Sequence, residues 1–148
     1  MSLEKWVEYG WLRPEATSLD EIQGLLSIVD RGLHDSKVEE ISIDLRFIAV
    51  FNSALTAATV ALRAVGFRVS SQAGHHVKTI ESLEFTHPEG RTFIQKLKVM
   101  SNKRNRSSYD AAGAVSDQDL QSMMRLAADL QSKLQTWLRK EHPELLKG

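Results

Sequence analysis

Apolar residues recur along this chain at intervals of three and four, the period of a helix that buries one face. Ile22, Leu25, Leu26, Val29 and Leu33 form the first such stripe. Ser18 and Glu21 precede it with the spacing of a capping box, in which a hydroxyl and a carboxylate satisfy the first free N–H groups of a helix, so a helix is predicted from about Leu19 into the high thirties. Ser42-Ile43-Asp44 opens a second, longer one. There Phe47, Phe51, Ala54, Ala58, Ala61 and Val65 follow helical spacing, Ile48, Leu55 and Leu62 widen the apolar face, and Gly66 marks the exit. The breadth of that face predicts a central position, and its small residues would let a neighbouring helix approach closely.

From Phe67 to Gly74 the residues turn to Ser, Gln and Gly, which predicts a loop. A short third helix follows from His75 to Phe85, with Val77, Ile80 and Leu83 on one side, until His87-Pro88 breaks it. The fourth starts after Glu89-Gly90 and is expected to end near Gly113 in a left-handed cap. The last is opened by Ser116 with Asp119 in the capping-box place and Val115 and Leu120 as a hydrophobic staple, and it carries Leu120, Met123, Ala127, Leu130, Leu134 and Trp137 to about Lys140. No stretch reads as a strand. Ahead of all this, Trp6, Tyr9, Trp11 and Leu12 crowd together before Pro14, a short arm that either packs on the bundle or serves as a dimer contact. The expected fold is an all-α, antiparallel bundle of four or five helices, with an N-terminal arm over residues 1–17, the bundle over 18–141 and a tail over 142–148.

The fourth helix breaks its own pattern. Phe93, Ile94, Leu97 and Met100 define a core stripe whose next positions are Arg104 and Ser108, so a guanidinium takes the place of a core side chain within the run Asn102-Lys103-Arg104-Asn105-Arg106-Ser107-Ser108-Tyr109-Asp110. A cation at such a position requires an anion. Asp110 or Glu40 could supply it as a salt bridge that locks the helix, or a phosphate could, held by the planar guanidinium fork.

Arg104-Asn105 followed by Tyr109-Asp110 resembles the signature helix of HEPN domains, small helical bundles of prokaryotic toxin–antitoxin and nucleotidyltransferase-associated systems, over about Ile41 to Leu138. The family motif is Arg, four to six residues, His; here Tyr109 stands in the histidine's place. The resemblance implies a two-fold homodimer whose arginines face a shared cleft, where RNA is cut without metal by its own 2′-hydroxyl. It implies Arg104 as the phosphate-facing cation, Asn105 as the orienting amide and Tyr109 as the altered proton-transfer position. Lys103, Arg106, Asp110 and His76 are the further candidates for ligand contact. A phenol with a pKa near 10 is a poor base at neutral pH, so ribonuclease activity is expected to be weak or lost.

Composition narrows the classes that remain. Nineteen Lys and Arg balance nineteen Asp and Glu, so no global field draws the chain to nucleic acid or an anionic surface, and any such binding falls to the local patch at Lys103, Arg104 and Arg106. Cysteine is absent, which excludes disulfides and thiolate chemistry. No apolar run reads as a membrane span and the N-terminus lacks the order of a signal peptide, so a cytoplasmic location is expected. Adjacent His75 and His76 on a helix point about 100° apart and chelate one ion poorly, so neither a metal nor a cofactor is assigned. His76 is expected to be partly buried on the face of Ile80 and Leu83, and His34, His87 and His142 to be solvated. Two functions follow: an RNA- or nucleotide-binding HEPN-like domain, or a non-catalytic module that holds a partner such as a nucleotidyltransferase.

Overall fold

A computed structural model describes residues 1–70, 75–109 and 115–146, the side chains of 106–109 excepted. The chain runs α1 (Leu3–Glu8), β1 (Leu12–Pro14), α2 (Leu19–Asp35), α3 (Ile43–Ala64), β2 (Phe67–Val69), α4 (His75–Glu81), α5 (Leu83–Thr86), α6 (Gly90–Tyr109), α7 (Asp117–Glu141) and a final 3-10 turn (Pro143–Leu145). It is mostly helical. The expectation of no strand is corrected: Leu12 pairs with Val69 and Pro14 with Phe67 in a small antiparallel sheet. Three residues are too few to display a period of two, and their partner lies more than fifty positions away in sequence.

α2 and α3 are antiparallel neighbours, because Glu21 early in α2 meets Arg63 late in α3, and Arg46 early in α3 donates to the Ser36 carbonyl just past α2 at 2.7 Å. They cross closely at Gly32. A Cβ there would lie 2.8 Å from the Ser53 Cβ, and the Ser53 hydroxyl donates to the Val29 carbonyl across the same contact. α3 is the central helix, with Phe47, Phe51, Ala54, Ala57, Ala58 and Ala61 buried among Ile22, Val29, Phe93, Leu97, Leu120, Met123 and Leu130 from α2, α6 and α7. By length and composition α3 could cross a membrane, contrary to the sequence reading, and 61% of its most apolar window is enclosed by the protein itself. Burial of most of that window fits a core helix.

The last helix follows its sequence signals closely. The Ser116 hydroxyl accepts from the Asp119 N–H at 3.0 Å, the Asp119 carboxylate accepts from the Ser116 N–H at 3.1 Å, and Val115 and Leu120 are both buried. The third predicted helix is instead two. It breaks at Ser82, and Val77 is left 49% exposed. Gly113 lies outside the described residues. His87, expected to be solvated, is 7% exposed: Nδ1 accepts from the Glu89 N–H at 3.1 Å, and the ring packs against Phe93 and Trp137.

The arm packs on the bundle through a second apolar cluster of Leu3, Trp6, Leu12, Leu62 and Val69. What fixes it there is Arg63, 2% exposed and the lone charged residue between Phe47 and Ala64. Its Nε and Nη2 donate to Glu21 Oε1 at 3.0 and 2.8 Å, Nη1 to the Glu15 and Phe67 carbonyls at 2.8 and 3.1 Å, and Nη2 also to the Ala16 carbonyl at 3.0 Å. All five guanidinium donors are used. Glu21 therefore does not close the capping box: Ser18 accepts from the Glu21 N–H, but the Glu21 carboxylate turns to Thr17, Arg63 and Arg68. The Thr17 hydroxyl and then Arg63 hold its pKa below the usual carboxylate range.

Arg63→Ala is expected to destabilise the fold by about 3 kcal/mol, because the buried carbonyls and Glu21 lose their donors together. Arg63→Lys is expected to restore little, since an ammonium cannot serve acceptors placed for a planar fork. Urea denaturation of the two variants checks this. Glu21 contributes stability that is present above its ordinary value of 4.5 and lost as pH falls through its lower folded value, so the acid limb of the wild-type stability profile should be steeper than that of Arg63→Ala.

Candidate functional site

α6 carries the motif, and its C-terminal half rests on α3 through Phe51. Arg104 sits where the core stripe predicts an apolar side chain, half-buried, with its guanidinium carbon 5.7 Å from the centroid of the Phe51 ring. The ring face offers the cation weak electrostatic compensation. Arg104 Nε is buried and has no hydrogen-bond partner among the described residues. Among the described residues Arg104 forms no ion pair, with Glu40 or any other carboxylate; Asp110 lies outside the described residues.

The neighbouring candidates divide. Lys103 is drawn away from Arg104, pairing at 3.1 Å with Asp119 and so tying the end of α6 to the capped start of α7. Asn105 is exposed and lines a cavity of about 300 Å³ between α4 and α6, together with Val77, Ile80, Lys98, Ser101 and Asn102. Tyr109 closes α6 with its backbone, and the side chains of Tyr109 and Arg106 lie outside the described residues.

His76 reaches the site from another helix. It stands on α4 four positions before Ile80, which floors that cavity, and its ring centroid is 6.0 Å from that of His75. The expectation of a partly buried ring is corrected: His76 is exposed, standing in the first turn of α4. Packing on the inner side, then the positive charge of Arg104, then His75 hold its pKa below the usual histidine value of 6.5. Arg104 is thus an electrostatic neighbour of His76 although 28 positions separate them in sequence.

The arrangement gives a guanidinium with a free donor, a neutral imidazole within its field, and an amide-lined cavity with an apolar floor. A guanidinium and amides are groups of the kind that can hydrogen-bond a planar or tetrahedral anion. Among the described residues no group of three or more His, Asp or Glu is placed to hold a metal ion. A larger cavity, about 670 Å³, lies between α2 and the end of α7, where Arg139 is about 30 Å along the helix from Asp119 at 1.5 Å per residue. It gathers Gln23, Asp30, Gln135 and Arg139 with apolar neighbours.

Arg104→Ala is expected to raise the midpoint of the His76 titration towards the ordinary histidine value, as the charge that disfavours its protonation is removed. Histidine ring signals followed by NMR against pH measure this directly. An unmoved midpoint would mean that the two side chains are not neighbours.

Comparison with family models, with characterised proteins and with solved structures found no match to this chain.

Proposed function

We propose that the chain is a HEPN-like RNA- or nucleotide-binding domain of a prokaryotic toxin–antitoxin or defence-type system, acting in the cytoplasm as a two-fold homodimer. The observation that carries this reading is the Arg104 guanidinium, whose Nε is buried without a partner among the described residues in a place where the core stripe calls for an apolar residue. A buried, unbonded donor on a cation costs free energy in the empty protein, and a phosphate oxygen removes that cost on binding. Asn105 and the amides beside it suit the edge of an unstacked base. The dimer is supported by apolar side chains left at the surface, Leu45 at 60% exposure and Val99 at 56%.

The rival reading, a module that holds a partner protein such as a nucleotidyltransferase, draws on Lys103, whose charge already serves α7 through Asp119. Affinity for a short single-stranded RNA separates the two. Arg104→Ala is expected to weaken binding roughly ten- to hundredfold, the worth of a lost charge-assisted hydrogen bond with its buried partner. Binding by the wild type should also fall steeply with salt. Equal affinity in both proteins would favour the interaction module. Little metal-free cleavage is expected at neutral pH, since Tyr109 stands where the family's proton-transfer histidine would be. Light scattering should return twice the 16.7 kDa of the chain; a monomer would remove the shared cleft.

A further inference from the structure

We propose that the groove between α6 and α7 is the docking site for an acidic amphipathic helix of a partner protein, whose apolar side chains lie on the groove floor and whose carboxylates meet Lys96 and Arg125 on its two walls. This surface does not depend on Arg104. The two helices run antiparallel and are clipped at both ends. Lys103 late in α6 pairs with Asp119 early in α7 at 3.1 Å, and Glu89 just before α6 pairs with Lys133 late in α7 at 2.7 Å. Between the clips lies a cavity of about 550 Å³, lined by Met100 and Leu126 and edged by Val99, which is left 56% exposed. From Glu89 to Lys103 the groove runs for about 21 Å at 1.5 Å per residue, the length of a helix of about four turns.

The charges on the walls select the occupant. α6 has no carboxylate between Gly90 and Tyr109. Its Arg91, Lys98 and Lys103 pair with acids of other elements, whereas Lys96 has no ion-pair partner among the described residues. Across the groove Arg125 donates to the Ser122 hydroxyl at 3.3 Å and, among the described residues, meets no carboxylate. Asp129, one turn further along α7, also lines the groove, but it is turned to Lys133 at 3.6 Å. Two uncompensated cations thus face each other over an aliphatic floor, the complement of a helix with an apolar stripe bordered by carboxylates. RNA fits this surface less well, because no aromatic side chain lines it to stack a base. A second copy also fits less well: a two-fold axis that seats Val99 in the partner's groove would crowd the Lys96 and Arg125 of both copies around it. Leu45 then remains as the exposed side chain that speaks for the dimer. The groove is separate from the cavity beside α4, since at about 100° per residue Lys96, Val99 and Met100 lie on the other side of α6 from Lys98, Asn102 and Asn105.

The probe is a helix-forming peptide of about fifteen residues with leucine at i, i+3 or i+4, and i+7 spacing and glutamate beside each leucine. Fluorescence anisotropy compares it with the same peptide carrying lysine for glutamate and with a scrambled sequence. Wild type should bind the acidic peptide at least about tenfold more tightly than either control. The double variant Lys96→Glu, Arg125→Glu should reverse the preference between the acidic and basic peptides, a result that a merely weakened fold would not give. Val99→Ser should weaken the acidic peptide several-fold. The inference is overturned if wild type does not prefer the acidic peptide, or if the double variant keeps that preference. It is also overturned if short single-stranded RNA displaces the peptide competitively, which would give the groove to RNA, or if Val99→Ser turns a dimer into a monomer in light scattering, which would give it to a second copy. A failure to bind peptide leaves the test of RNA binding at Arg104 as it stands.

Discussion

The five hydrogen bonds of Arg63 are the constraint on which the rest of the fold depends. This side chain stands at the last turn of the central helix and holds three backbone carbonyls, Glu15, Ala16 and Phe67, from two segments far apart in sequence. Two of those carbonyls belong to the link between β1 and α2 and the third to β2. Without the guanidinium they would be left near the core with no donor, a cost that accumulates with each group. The small sheet is therefore a consequence of the arginine as much as of its own ladder: Gly66, at φ 94°, turns the chain out of α3 so that Phe67 can return its carbonyl to Arg63 and pair with Pro14. A side chain could not adopt that φ without strain. Glu21 and Glu15 close the network onto Arg68, which places the sheet, the start of α2 and the end of α3 in one charge-compensated corner.

Arg104 is the counterpart of this residue. Both arginines stand within core-forming helices; one spends every donor, and the other keeps a buried donor unused. The difference is what each fold element brings to it. Loops return past Arg63 and supply carbonyl oxygens, whereas Arg104 lies over an aromatic ring on α3, which offers Nε no oxygen acceptor. Burial selects for pairing, so a satisfied buried cation is explained by stability alone.

The helices were legible because their signals are local. Ser116 and Asp119, Val115 and Leu120, and the stripe through α7 all lie within a few turns of one another, and each occupies the role its spacing implies. Arg104 stood out for the same reason, as a charge on an apolar stripe. Arg63 could have been found from the same signal, since it is the one charge in the run from Phe47 to Ala64, but its partners lie at 15, 16, 21 and 67 and no local rule connects them. Glu21 shows how a local rule yields to a tertiary one: its spacing from Ser18 is that of a capping box, and its carboxylate instead serves two arginines. The place of His76 beside Arg104 had no sequence signal at all, because it depends on how α4 is docked.

That docking is set by two neighbouring residues on one side of α4. Lys78 lies 3.6 Å from the centroid of the Trp11 ring and 5.0 Å from that of Trp6, a cation held over two aromatic faces of the arm. Next to it, Glu81 accepts from Lys98 of α6 at 2.9 Å and also faces Lys78 at 3.5 Å. A seven-residue helix has little stability of its own, so these contacts, with Ile80 and Leu83 in the core, decide where it sits. The arm is in turn anchored through β1, the link to α2 and Arg63. The corner organised by one arginine is thus continuous, through Trp11 and Lys78, with the position of α4 and of the His76 that lies within the field of the other. An arm that reads in sequence as an appendage is part of what places the site.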